Sequence, residues 1–149
     1  MVKEPQVPSA VARAMSLVES GDLSGGLLAF EEATELHPRD VRSWLGLAAV
    51  RHKRGEESMA VDAFARAACI YVNEDQGLKA IAVYKQATRI APLRDDLALE
   101  LAIQYRNQGL GIEAVEQLLS AVNARASRGE SLDCLSLIRT TLELDKENL

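Results

Sequence analysis

Aromatic residues are scarce: one Trp, three Tyr and two Phe, or 4% of 149 residues. A chain this poor in rings does not fill a core with them. With 48% hydrophobic residues, mostly Ala and Leu, it points to helices packed closely through small side chains. Cysteine is nearly absent. Cys69 and Cys134 are the two, far apart and without metal-type spacing, which reads as two buried free thiols in a reducing cytosol. His37 and His52 are the only imidazoles. No Cys or carboxylate accompanies His52 at ligand spacing, and His37 sits beside Pro38 as a cap or surface residue, so no metal site is expected. The net charge is −5 and no basic stripe exists, which excludes a nucleic-acid backbone binder and electrostatic docking on an anionic membrane. No run of about 18 apolar residues occurs, so no membrane insertion is expected. The first twenty residues lack the uninterrupted apolar core of a signal peptide. On these absences the expected location is the cytoplasm.

What is present is helical periodicity, interrupted at regular places and without competing strand alternation. "SGD" at Ser20–Asp22 closes a first helix. "HPRD" at His37–Asp40 closes a second and offers Asp40 as the next cap. Further breaks fall at Gly55, at Tyr71–Gly77, at Pro92 with Asp95 as a cap, at Asn107–Gly111 and near Gly129. The pattern predicts an all-α chain of about eight helices joined by short turns, hence antiparallel neighbours. Residues 1–8, with Pro5 and Pro8, read as a loose tail before one domain over 9–149.

The breaks recur. "ATELHP" ends at Pro38 and "ATRIAP" at Pro92, 54 positions on (92 − 38). Ala14/Ala68, Ala33/Ala87, Leu47/Leu101, Ala48/Ala102, Gly55/Gly109 and Ala60/Ala114 keep the same interval. The internal unit is therefore three helices.

Trp44, Leu47, Ala48, Gly55, Ala60, Phe64 and Ala67 resemble the tetratricopeptide repeat, a helix–turn–helix of about 34 residues with pattern W-x2-L-G-x2-Y, a turn Gly, A-x3-F and a closing Pro. Two further overlapping copies run Phe64–Pro92 and Ala98–Ala121, and a weaker one begins at Ala14. The 54-residue spacing follows if one helix is shared per unit. Arg51 stands where a ring belongs and Asp75 where a turn Gly belongs. The resemblance implies a right-handed helical-repeat solenoid and a mostly buried Trp44. It also implies a groove, lined by first helices, that holds a peptide segment or helix of another protein. The groove positions fall on Arg42, Leu45, Ala49, His52 and Lys53, on Asp62, Ala65, Cys69 and Val72, and on Asp96, Leu99, Ile103, Arg106 and Asn107. Val11, Met15, Leu45 and Ala49 occupy the places where some relatives clamp a terminal carboxylate, so acidic C-termini are not the expected ligand.

No dinucleotide or phosphate-loop glycine motif occurs. "GDLSGG" follows a helix rather than a strand, and Glu31–Glu32, Glu56–Glu57 and Asp95–Asp96 read as helix-start or solvated carboxylates. The expectation is a scaffold or adaptor, not an enzyme, without cofactors. The alternatives are a type III secretion-type chaperone for a hydrophobic translocator and an assembly domain of a larger bacterial signalling or motility protein. Leu135 and Leu142 form an apolar stripe on the last helix, where the chain either dimerises or continues.

Overall fold

The computed structural model describes residues 7–130 and the single positions 136, 139 and 143. The described residues are all-α: α1 Val7–Glu19, α2 Leu23–Leu36, α3 Val41–Lys53, α4 Glu57–Asn73, α5 Gly77–Ile90, α6 Asp95–Asn107 and α7 Gly111–Ser127. Ser136, Arg139 and Glu143 are helical and exposed, and Arg139 pairs with Glu143 at 3.2 Å. Cys134, Leu135 and Leu142, with the bounds of an eighth helix, lie outside the described residues. None of the described helices is long and apolar enough to cross a membrane.

The three-helix interval is present in the helix bounds themselves. α2, α3 and α4 each begin and end 54 residues before α5, α6 and α7 (77 − 23, 95 − 41, 111 − 57). The chain divides into two compact units, Met1–Asn73 and Glu74–Leu149. In the first, α1 packs on α2, α2 on α3, α3 on α4, and α1 also meets α3. In the second, α6 packs between α5 and α7.

Small residues dominate both cores. Ala14, Ala33, Ala48, Ala60, Ala67 and Ala68 are buried around Phe30, Leu47, Val50 and Phe64 in the first unit. Ala80, Ala87, Ala102, Ala114 and Ala121 are buried around Tyr84, Leu101 and Leu118 in the second. The Ala stripes let helix axes approach, and the few large side chains fill the gaps beside them.

Turn chemistry sets the helix ends. Glu56 N–H donates to the Arg51 carbonyl at 2.9 Å and Gly55 N–H to that of His52 at 3.0 Å, a Schellman closure with Gly55 at φ 76°. The same closure recurs at Gly109 in the second unit, with Leu110 N–H on the Tyr105 carbonyl. Asp75 takes the left-handed position without being glycine, at φ 57°. Short polar side chains tolerate that region better than most.

Asp40 caps α3 as expected, accepting from the Ser43 N–H at 3.0 Å and its hydroxyl at 2.7 Å. Burial pushes the Asp40 carboxyl up, but the Ser43 bonds and the Arg42 guanidinium outweigh it and hold it below the usual carboxylate range. Asp95 does not cap α6. The N-cap is Arg94, with no side-chain cap bond, and Asp95 is the first helical residue, where it pairs with α7.

Trp44 is mostly buried, as expected; its N–H donates to the Pro38 carbonyl at 3.0 Å and its face lies under Arg66, 5.5 Å from the guanidinium. Arg51 fills the place of a ring by ion-pairing with Glu31 at 3.0 Å. Its Nε has no partner. Cys69 is exposed, one position past the buried stripe that ends in Ala67 and Ala68, which overturns its reading as a buried thiol.

Candidate functional site

On α3, Arg42, Leu45, Gly46, Ala49, Val50 and Lys53 follow the i, i+3, i+4, i+7, i+8, i+11 rule and share one face. On α1, Val11, Met15, Val18 and Glu19 do the same. The two faces meet across Phe30 of α2 and enclose a groove of about 440 Å³. Phe30, Val50 and Val11 are buried and form its floor, while Met15 is half-exposed and forms a wall.

Gly46 makes this shape. A Cβ at this position would collide with the Phe30 ring, so the ring lies directly against the α3 backbone. Ala49, exposed and small, keeps the next turn open. Gly46→Ala is expected to lower stability by about 1 kcal/mol. Overpacking costs about 1–3 kcal/mol, and better helix propensity returns up to about 1 kcal/mol. A urea midpoint followed by circular dichroism measures it, and a gain in stability contradicts the close approach.

The rim is charged. Lys53 makes no ion pair among the described residues, and Glu19 stands on the α1 side. Arg42 is exposed and 3.2 Å from Asp40. The interior is apolar, with no titratable pair and nothing suited to acid–base chemistry. No group of His, Cys, Asp and Glu able to hold a metal occurs among the described residues.

Of the residues expected from sequence, Arg42, Leu45, Ala49 and Lys53 come together here. His52 is exposed on α3 but does not line the groove, and neither do Ala65 and Cys69 of α4. In the second unit Leu99 is partly buried and, with Val122, packs against the buried Ala98 and Ala121. Ile103, Arg106 and Asn107 are exposed on α6. The sequence reading missed Phe30, Val18, Glu19 and Gly46. The α1 stripe was visible as spacing, but the role of Gly46 depends on a ring sixteen positions earlier (46 − 30).

The second unit carries an ion cluster instead. Arg125 donates to Asp95 at 2.7 Å, and Arg128 reaches Asp95 at 2.7 Å, Glu130 at 3.0 Å and the Leu93 carbonyl at 2.6 Å. Burial raises the Asp95 carboxyl, but the two arginines outweigh it and hold it below the usual range. The cluster ties the start of α6 to the end of α7, and each charge also complements its helix dipole.

No family model matches the sequence and no curated protein matches it. Among solved structures the chain is similar to MamA, at 15% identity, 91% of this chain, 95% of that chain and a TM-score of 0.43. It is similar to SycD, the type III secretion translocator chaperone of Yersinia enterocolitica, at 17% identity, 99% and 89% coverage and a TM-score of 0.45. It is also similar to YrrB, described as a TPR protein with an unusual peptide-binding site, at 15% identity, 93% and 86% coverage and a TM-score of 0.41. No residue role follows from likenesses at this level.

Proposed function

We propose that the chain is a non-catalytic interaction scaffold whose α1–α3 groove holds an apolar segment of a partner protein. The observation that carries this reading is the groove of about 440 Å³, apolar inside and cationic on its α3 rim. Its volume is that of a ligand-sized cleft. A segment with one or two large apolar side chains matches the interior, and acidic flanks match Arg42 and Lys53. The absence of polar groups converging inside the groove favours side-chain capture over small-molecule chemistry.

The test uses Ala49→Glu and Met15→Glu, both at exposed positions, so that the helices survive the change. A partner recovered with the unmodified chain and identified by mass spectrometry is titrated against each variant. The expected result is a loss of affinity of at least about tenfold for each, with unchanged circular dichroism. Arg42→Glu should weaken binding less and flatten its salt dependence. Unaltered binding by folded variants places the partner site elsewhere on the chain.

A further inference from the structure

Trp44 and Ala98 hold the same place in the two three-helix sets (98 − 44 = 54). In the first unit the indole is held by the Pro38 carbonyl, which accepts its N–H at 3.0 Å, and by Arg66 over its face. The corresponding residues of the second unit are Pro92 and Ser120, 54 positions on in each case (92 − 38, 120 − 66). Both line a cavity of about 240 Å³, together with Ala98 itself and Leu101. The cavity therefore stands where the ring of the first unit stands. Pro92 lines it, and no described residue donates to the Pro92 carbonyl.

The mouth differs in charge. Glu31 and Glu35 of the first set become Lys85 and Arg89 in the second. Lys85 and Arg89 line the cavity, and neither forms an ion pair among the described residues. The second unit thus keeps the socket, lacks the ring and surrounds the opening with positive charge.

We propose that this cavity is a second binding site, separate from the α1–α3 groove, and that it takes an indole side chain flanked by acidic residues on a partner protein. The indole supplies the apolar body that fits between Leu101 and Pro92 and an N–H for the Pro92 carbonyl. The acidic neighbours meet Lys85 and Arg89. The template is the chain's own Trp44, so the occupant is defined by the first unit rather than by cavity volume alone.

Two probes test it against the isotope-labelled full chain by NMR: indole, and a capped Glu-Trp-Glu peptide. Both should shift the amides of Thr88, Ala98 and Ser120 and saturate, with the peptide the tighter. Lys85→Glu with Arg89→Glu should weaken the peptide by about tenfold and leave indole unchanged. Ala98→Trp, which supplies the ring from within, should raise Tm and abolish both titrations. Ala49→Glu, in the other groove, should change neither. Absence of shifts at these amides at millimolar probe overturns the proposal. So does a charge-reversed variant that binds the peptide as the unmodified chain does. If Ala98→Trp does not fold, the socket is not the equivalent of the Trp44 site, and the proposal fails on that result as well.

Discussion

Phe30→Ala is expected to lower stability by about 3–5 kcal/mol, the range for removing a buried Phe ring. Phe30 is 2% exposed and lies against the Gly46 backbone. α1 packs on α2 and also meets α3, so closing over the loss would require α1 to move with them. The deletion therefore leaves a void that opens into the groove instead of collapsing. A urea titration should show the drop, and amide exchange should rise in α1, α2 and α3. A loss under about 1 kcal/mol would mean that the floor repacks and that the groove is not held open by the fold. Because the ring is also the base of the cleft, a partner with a larger apolar side chain should bind the variant better relative to the native one. That shift in preference separates a groove floor from an ordinary core position.

Asp95→Asn is expected to cost about 1–2 kcal/mol, between the values for exposed and buried ion pairs. It removes the charge shared by Arg125 and Arg128 while keeping the side-chain shape. The pH dependence has a definite sign. The folded-state pKa of Asp95 lies below its ordinary value, so its contribution is complete above the unfolded value, near pH 4, and is lost as pH falls through the folded value. Asp96 and Glu130 act in the same direction, held down first by Arg94 and by Arg128. Thermal melts from pH 7 to pH 2 should show the unmodified chain losing its advantage over Asp95→Asn below about pH 4. Parallel curves for the two proteins across that window would show that the cluster contributes no net stability.

The helices were legible because their ends carry local chemistry. Gly21, Gly55 and Gly109 mark left-handed closures, and Asp40 is a cap, each read from neighbouring residues alone, whereas the Asp22 cap of α2 went unread inside a turn phrase. Arg42, Leu45, Ala49 and Lys53 of α3 were named through the repeat resemblance, and the structure places them on one face of that helix. The other half of the groove was not legible, because whether Phe30 is core or floor depends on what a distant helix leaves open. Asp95 misled for a related reason. An Asp before an apolar run ordinarily caps, and nothing within four residues announces Arg125, thirty positions away. Trp44 was legible as a mostly buried ring, but the Pro38 carbonyl that accepts its N–H was not.

The equal helix bounds have a consequence at the level of the gene. Two codons 54 apart anywhere between α2 and α4 encode positions in the same phase of the same turn or helix. An unequal crossover between them would add or remove one three-helix set and keep the helix register, although the side-chain caps Asp22 and Asp40 have no capping counterparts in Gln76 and Arg94. Length in such a chain changes by whole sets, and each new copy arrives with its helices intact. The second copy is then free to diverge by single substitutions, as the exchange of Trp44 for Ala98 and of Glu31 for Lys85 illustrates.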